Sequence, residues 1–243
     1  MISPRTPLKT MSLFNDFFPS SVLTILSDRR IDFSLPKGKF YLDAQQKKYL
    51  ASADVAEMMN IRQVHGNHIL VIDENYQSLT RSLPEADGLV TNLPGKALMV
   101  RTADCLPVFI YDPFNEVIGM VHAGWQSTQK KIVENTIQIM RKYFQSQPAD
   151  IKAAFGPGIR SCCCQVTEEF SEYFPKEVEQ RDGHLYFNLP RANQNQLLKA
   201  GLSRENILDD LECTCCNKKY FSYRREGEQA GRMLSLMMLK SET

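Results

Sequence analysis

Several features that define whole classes of protein are missing from this chain of 243 residues. No segment approaches the roughly 18 consecutive apolar residues that a transmembrane helix needs. The net charge is only +1, and Lys and Arg are scattered, so the basic patch typical of nucleic-acid or anionic-membrane binding is absent. Residues 1–9 are polar, contain prolines and lack the apolar core of a signal peptide. We therefore expect a cytoplasmic protein whose partners include neither nucleic acid nor membrane.

Histidine is scarce, with four residues, and the seven cysteines lie in three places. His68 and His184 are expected to form ordinary hydrogen bonds. Cys105 stands alone, and the other cysteines form clusters at residues 162–164 and 213–216. Thiols of a cytoplasmic protein are expected to be reduced. We interpret the two clusters as buried thiols that pack as small apolar side chains. Cys105 is therefore the cysteine that we expect to bind a metal or to react.

What the chain does contain is an alternation of short apolar runs and amphipathic segments. Hydrophobic residues make up 43% of the chain and charged residues 23%, which is typical of a globular fold. Branched apolar runs bounded by Gly, Pro and Asn predict strands at residues 69–72, 97–101, 108–111, 117–121, 151–155 and 220–223. Helices are predicted at residues 127–144, after 167, at 190–201 and at 229–239. With no linker or repeat, this pattern predicts a single α/β or α+β domain with mixed sheets.

Three segments far apart in the sequence each carry one metal-ligating side chain among small residues. His65 and His122 each lie beside a glycine at the end of an apolar run, and Cys105 lies between two predicted strands. Two imidazoles and one thiolate are a zinc ligand set that leaves a fourth tetrahedral position open, as in catalytic zinc sites. Asp104, next to the thiolate, is a candidate to orient a ligand or to accept a proton.

The same residues also fit a different chemistry. Cys105 is a candidate nucleophile with His122 as its base, as in thiol hydrolases. The glycine turn at residues 156–158 would then offer backbone N–H groups to an oxyanion. A third alternative is a non-catalytic protein that uses this site to hold a nucleoside or a metal ion. The residues alone leave all three open.

Polar and aromatic side chains near these segments are candidates for substrate contacts. Guanidinium groups suit bidentate contact with phosphate or carboxylate, and the candidate arginines are Arg101, Arg160, Arg224 and Arg225. Gln63 is a candidate polar contact. Trp125 and Tyr223 are candidates to stack on a planar base.

The order of the motifs resembles one protein family. The motifs are Gln63-x-His65-Gly66, residues 86–91, 102–108, 121–125 and 156–159, Cys213-Thr214, residues 220–225 and Gly231-Arg232. They resemble the YfiH-like, laccase-domain family, also called multicopper polyphenol oxidases and grouped with purine nucleoside phosphorylases. Each motif alone is modest, but the ordered set, which spans residues 61–232, is specific.

This resemblance implies a four-layer α/β/β/α sandwich over residues 1–243, similar to a toxin class of cysteine hydrolases. It implies Zn²⁺ at His65, Cys105 and His122, with copper as an adventitious occupant because Cu²⁺ outcompetes Zn²⁺ at most N/S sites. The implied activity is phosphate-dependent cleavage of adenosine, inosine and methylthioadenosine, with adenosine deamination as a side activity. The implied partners are therefore a small-molecule nucleoside and phosphate. The implied assembly is a monomer or a homodimer. A thiol hydrolase in peptidoglycan-precursor editing, a role attached to some relatives, is the alternative.

The chain departs from the family pattern in two places. Members carry a Thr-Arg-x-Gly-Gly-Val-Ser type loop near the N-terminus, whereas the nearest stretch here, residues 26–30, lacks both glycines. Cys164-Gln165 stands where Tyr-Glu is expected. Four histidines are also too few for a multicopper oxidase centre. We therefore expect an intact metal triad beside an altered substrate-side loop.

Overall fold

The computed structural model describes residues 11–12, 14–35, 42–51, 55, 57–76 and 82–241; the polar segment at residues 1–9 lies outside the described residues. The strands are β1 (Met11–Ser12), β2 (Val22–Leu26), β3 (Glu57–Met59), β4 (Ile69–Ile72), β5 (Gly88–Thr91), β6 (Lys96–Thr102), β7 (Leu106–Asp112), β8 (Val117–Ala123), β9 (Lys152–Phe155), β10 (Gln165–Val166), β11 (Val178–Arg181), β12 (His184–Phe187), β13 (Ile207–Asp209) and β14 (Met233–Leu239). The helices are α1 (Ala44–Ala51), α2 (Trp125–Gln129), α3 (Ile132–Phe144), α4 (Glu169–Tyr173), α5 (Leu189–Lys199) and α6 (Tyr223–Glu226). None of the helices in these ranges has the length and apolarity needed to span a bilayer.

Two large mixed sheets dominate the fold. One has five strands in the order β1-β2-β14-β6-β3, and the other has six in the order β13-β9-β7-β8-β5-β4. Most neighbours are antiparallel, but β3 with β6, β4 with β5, and β13 with β9 are parallel pairs. A small antiparallel sheet, β10-β12-β11, completes the strands. The prediction of mixed sheets is confirmed.

Alternating side chains show how the layers stack. Leu98 and Val100 of β6 share one buried cluster with Phe109 and Tyr111 of β7, so the two large sheets meet face to face. The outer face of the five-stranded sheet shares a cluster with α1. The outer face of the six-stranded sheet packs on α3 and α5. The molecule is therefore the four-layer α/β/β/α sandwich that the resemblance implies.

Most predicted strands of the central region are confirmed. The strands predicted at residues 69–72, 97–101, 108–111, 117–121 and 151–155 are β4, β6, β7, β8 and β9, with ends that differ by at most two residues. A turn at residues 113–116 joins β7 and β8 into a hairpin, in which Asp112 pairs with Val117. The Asp112 carboxylate accepts the backbone N–H groups of Phe114 and Asn115, which closes the turn.

Two predictions near the C-terminus are wrong. The helix predicted at residues 229–239 is instead strand β14, whose seven residues are all buried. It lies between β2 and β6, and its side chains pack between the two large sheets on one face and in the cluster with α1 on the other. Because both faces are covered, its apolar run carries no alternation to distinguish it from a helix. The strand predicted at residues 220–223 is a turn followed by α6, whose N-cap Ser222 accepts the backbone N–H of Arg225.

The helix predicted at residues 127–144 is two helices. Lys131 lies in the left-handed region, with φ of 60°, and separates α2 from α3. Gly124, and not Ser127, is the N-cap of the first helix. Helix α3 is amphipathic, because Val133, Ile137 and Met140 recur at helical spacing and are buried. The helix predicted at residues 190–201 is α5, and the short helix predicted after residue 167 is α4.

Candidate metal centre and active site

Three elements bring His65, Cys105 and His122 together. Cys105 lies in the short link between β6 of one large sheet and β7 of the other, His122 lies near the end of β8, and His65 lies in the loop after β3. Their ligand atoms all lie within 4.8 Å of one another. Cys105 Sγ is 4.0 Å from His65 Nε2, and the two imidazole centroids are 4.8 Å apart. The predicted ligand triad is therefore assembled by the fold.

The backbone around the triad is unusually tight. His65 and Asp104 have φ values of 56° and 85°, in a region that few non-glycine residues adopt. At Gly124, a Cβ atom would lie 2.9 Å from Cys105 Sγ and 3.2 Å from His65 Cδ2. Only glycine leaves room for the two ligands at that position. The loops thus form a cradle in which three ligand atoms face one point, and this fits a metal ion.

A buried carboxylate, Asp87, holds two of the ligands in place. Its Oδ1 accepts the backbone N–H of His65 at 2.9 Å and lies 2.9 Å from His122 Nδ1. Its Oδ2 accepts the backbone N–H of Gly66 at 2.6 Å. A hydrogen bond at Nδ1 leaves Nε2 of His122 free for a metal, as is usual for metal-binding histidines.

Asp87 was not predicted as a site residue, although it lies in the motif at residues 86–91. The signal that points to it is an ionisable side chain at the start of an apolar strand, where a buried charge requires partners. Burial alone would raise the pKa of Asp87, but the hydrogen bonds from His122 and Gly66 outweigh burial and lower it.

Opposite charges sit next to each other at Cys105 and His122. Burial alone would raise the pKa of the Cys105 thiol, but His122 and His65 outweigh burial and lower it to about 6. Burial alone would lower the pKa of His122, but Cys105 and Asp87 raise it to about 9. At neutral pH the sulfur is therefore a thiolate, which is the form that binds metals and attacks electrophiles.

The triad opens into a cavity of about 900 Å³, a volume suited to a small-molecule ligand. The predicted site residues that line this cavity are His65, Cys105, His122, Asp104, Gln63, Arg101 and Arg224. Trp125 and Tyr223 also line it, and 38% and 47% of their surfaces remain exposed. The cavity therefore combines a possible metal position, cationic groups and flat aromatic surfaces.

Arg101 is the buried cation of this cavity. Its Nε donates to the Phe33 carbonyl at 2.8 Å and its Nη1 donates to Asn60 Oδ1 at 2.6 Å. Among the described residues, its Nη2 has no hydrogen-bond partner. Burial lowers the pKa of Arg101 to about 10, so the guanidinium is still charged at neutral pH. An anion in the cavity would satisfy this donor with a charge-assisted hydrogen bond.

Gln63 and Asp104 line the cavity but direct their polar ends at the protein. The Gln63 carboxamide accepts the backbone N–H of Arg101 and donates to its carbonyl, both at 2.8 Å. The Asp104 carboxylate accepts the Thr214 hydroxyl at 2.7 Å and the backbone N–H of Arg224 at 2.6 Å. Both side chains therefore position the loops that carry the ligands.

Arg160 and Arg225, which were predicted to contact an anion, are not brought to the cavity. Arg160 Nη1 forms an ion pair with Asp209 at 2.6 Å. Arg225 Nη1 donates to the carbonyls of Thr214 and Cys215, both at 2.8 Å. Their guanidinium groups hold loops together.

Other residues singled out in the sequence lie away from the cavity. His68 and His184 form ordinary hydrogen bonds through Nδ1, as predicted. The glycine turn does not offer an oxyanion site, because the N–H groups of Gly156 and Gly158 already donate to backbone carbonyls. This removes one element of the thiol-hydrolase arrangement.

The structure contradicts the interpretation of the two cysteine clusters as buried apolar thiols. Cys162 and Cys216 are exposed, whereas Cys164 and Cys213 are buried. The clusters also lie next to each other, with Cys163 Sγ 3.2 Å from Cys216 Sγ. Packing alone does not explain exposed thiols that face one another.

Known proteins resemble this chain over most of its length. The family model described as multi-copper polyphenol oxidoreductase laccase matches residues 43–240. A purine nucleoside phosphorylase of Clostridium acetobutylicum is 35% identical over 195 residues, 77% of this chain and 79% of the relative. The adenosine deaminase RL5, from an unknown prokaryotic organism, is 33% identical over 195 residues, 74% of each chain. The crystal structure of a Bacillus licheniformis hypothetical protein, YfiH, superposes with a TM-score of 0.80 at 26% identity, covering 90% of this chain and 93% of that chain.

Proposed function

Because the chain belongs to the multi-copper polyphenol oxidoreductase laccase family, we propose that it is a zinc-dependent purine nucleoside phosphorylase. Its substrates are phosphate and a purine nucleoside such as adenosine, inosine or methylthioadenosine. The observation that carries the proposal is one cavity that holds both an open three-ligand metal set and Arg101, a buried cation with an unpartnered donor. The relative named purine nucleoside phosphorylase supports the reaction type.

The donor set favours zinc as the metal. Two imidazoles and a thiolate suit Zn²⁺, whereas Mg²⁺ and Ca²⁺ prefer oxygen ligands. When bound by His65, Cys105 and His122, zinc supplies a Lewis acid with one open position in the cavity. Copper is an adventitious occupant under this proposal, because the chain has only four histidines and the other two lie outside the cavity.

Phosphorolysis forms a bond between a phosphate oxygen and ribose C1′ and breaks the bond from C1′ to the purine nitrogen. The products are the free base and ribose 1-phosphate. Arg101 binds the phosphate and offsets its charge with the free Nη2 donor. Trp125 and Tyr223 provide flat surfaces for the purine. Asp87 keeps His122 in one orientation.

Adenosine deamination is a second activity under this proposal, favoured by the relative named adenosine deaminase. It replaces the exocyclic amine of adenosine with an oxygen from water, so it yields inosine and ammonia. The two reactions share a substrate and differ in their need for phosphate. Product analysis therefore separates them directly.

A thiol hydrolase is the other candidate that a specific contact favours. Cys105, His122 and Asp87 stand in the order of nucleophile, base and orienting acid. In that chemistry the thiolate attacks a carbonyl carbon, and removing the metal leaves activity intact. A nucleoside- or metal-binding protein without activity is the third alternative, and it predicts no product.

The experiment that tests the proposal is product analysis by chromatography. Reduced, zinc-loaded protein is incubated with adenosine, with and without phosphate. We expect adenine and ribose 1-phosphate only with phosphate, and inosine in both reactions. The Cys105→Ala variant is expected to form neither. Absence of all products from wild-type protein, together with chelator-resistant cleavage of an ester or amide, would establish the thiol-hydrolase alternative.

A further inference from the structure

Four sulfur atoms from two separate loops meet outside the cavity. They belong to Cys162, Cys163, Cys213 and Cys216, whose Sγ atoms all lie within 4.8 Å of one another. Cys216 Sγ is 3.6 Å from Cys162 Sγ and 3.2 Å from Cys163 Sγ. The loops are more than fifty residues apart in the sequence. Only tertiary folding brings these thiols to one point.

Two of the sulfur–sulfur distances are close to the edge length of a tetrahedral metal site. A Zn–S bond is about 2.3 Å long, so the edge of a regular ZnS₄ tetrahedron is about 3.8 Å. The two distances given above lie close to this value and are far from the S–S bond of about 2.0 Å in a disulfide. Cys213 and Cys216 have the C-x-x-C spacing that recurs in structural zinc sites.

Backbone contacts hold the loops in position for this arrangement. The N–H of Cys163 donates to the Arg160 carbonyl at 2.9 Å. The N–H of Asn217 donates to the Cys213 carbonyl at 2.9 Å. These two bonds fix the turns that carry Cys163 and Cys213.

The two arginines that do not reach the cavity act on these same loops. Arg225 donates to the carbonyls of Thr214 and Cys215, between two of the thiols. Arg160 precedes the other pair, and its Nε donates to the Glu212 carbonyl at 3.2 Å. Both guanidinium groups therefore contact the backbone beside the sulfurs, and neither lines the cavity.

We propose that Cys162, Cys163, Cys213 and Cys216 bind a structural zinc ion that joins the two loops. Four soft ligands close the coordination shell, so no position stays open for substrate. This site is separate from the triad in the cavity, and the proposal does not depend on the enzymatic activity.

The zinc ion would stabilise one wall of the cavity. Arg224 lines the cavity, and its Nη1 donates to the carbonyls of Cys163 and Gln165. Thr214, next to Cys213, donates its hydroxyl to Asp104, which precedes the triad ligand Cys105. Because one loop contacts Arg224 and the other contacts Asp104, loss of the ion is expected to lower the thermal stability of the fold.

The test is the zinc content per chain, measured by mass spectrometry of the metal in reduced, zinc-loaded protein. Wild type is expected to hold two zinc ions, and the double variant Cys162→Ser/Cys216→Ser one. Cys215→Ser is the matched control, because this cysteine lies in the same loop outside the four-sulfur group; it is expected to hold as much zinc as wild type. Cys105→Ala is expected to lose only the triad ion.

Further measurements keep the test decisive if the double variant fails to fold. With Co²⁺ in place of zinc, wild type and Cys105→Ala are expected to show the absorption of a tetrathiolate site. A chelator is expected to lower Tm in Cys105→Ala but not in the folded double variant. The proposal is overturned if the double variant keeps the wild-type zinc content. It is also overturned if mass spectrometry of the protein purified without reductant shows these cysteines only as disulfides.

Discussion

At the residue scale, two buried charged side chains matter most to the cavity: Asp87, which contacts the triad residues, and Arg101, which provides a buried positive charge. Asp87 is fully buried and contacts the backbone of His65 and the ring of His122. Arg101 is 8% exposed and keeps one guanidinium nitrogen without a partner in the described part of the protein. Under the proposed function, Asp87 positions the metal ligands and Arg101 contacts the anion.

Replacement of Asp87 tests its role in positioning the ligands. In Asp87→Asn, an NH₂ group replaces one carboxylate oxygen. The side chain loses its negative charge, and its NH₂ group faces backbone N–H donors. We expect the zinc affinity of the triad to fall about 10- to 100-fold, measured by competition with a chelator. Asp112→Asn is the matched control, because it changes another buried aspartate that accepts backbone N–H groups away from the cavity. Equal zinc affinity in Asp87→Asn and wild type would refute the role.

Replacement of Arg101 tests the anion position. Arg101→Gln removes a buried charge that can form a hydrogen bond with phosphate, a contact worth about 1.5–3 kcal/mol. We expect the KM for phosphate to rise roughly tenfold or more, while the KM for the nucleoside changes little. Arg62→Gln is the comparison, since Arg62 also lines the cavity but is already paired with Glu85. A larger effect of Arg62→Gln than of Arg101→Gln would place the phosphate elsewhere.

The ligands themselves could be predicted from the sequence, whereas their partners could not. His65, Cys105 and His122 stand beside small residues in separate segments, and their chemistry is visible from residue type alone. The role of an arginine is not visible in this way. Arg101 and Arg160 have the same side chain, but one lines the cavity and the other forms an ion pair with Asp209. Only the fold separates them.

At the element scale, local patterns predict the hairpin of β7 and β8 but not the buried strand β14. The hairpin of β7 and β8 carries its own turn sequence, so it is evident without tertiary information. Strand β14 consists of Leu, Met and Ser, residues that local propensity assigns to a helix or leaves ambiguous. Pairing with β2 and β6, more than a hundred residues away, decides its conformation.

The turn of this hairpin provides a stability prediction. Burial alone would raise the pKa of Asp112, but hydrogen bonds that include the N–H groups of Phe114 and Asn115 outweigh burial and lower it. A carboxylate with a lowered pKa stabilises the fold above its unfolded-state pKa and loses this contribution as the pH falls. We expect Asp112→Asn to reduce the free energy of unfolding by about 1–2 kcal/mol near neutral pH.

Urea denaturation at several pH values measures this effect. The difference between wild type and Asp112→Asn is expected to be constant near neutral pH and to shrink below about pH 4. A difference that grows on acidification would contradict the assignment of the stabilising form to the carboxylate.

At the scale of the whole molecule, the site lies where the chain passes from one large sheet to the other. Cys105 lies in the link between β6 and β7, and these strands belong to different sheets. The sandwich therefore places the thiolate between the layers, where His122 and His65 reach it. Composition and periodicity predict mixed sheets, but they carry no information on how two sheets stack. That part of the fold was available only from the resemblance.

The measurement that tests the central claim most directly is the dependence of phosphorolysis on zinc. Wild-type protein is treated with a chelator, assayed with adenosine and phosphate, and assayed again after zinc is returned. We predict that formation of ribose 1-phosphate is lost on chelation and recovered with zinc, and that Cys105→Ala recovers none. Full activity in chelator-treated wild-type protein, with the triad shown to be free of metal, would contradict the account.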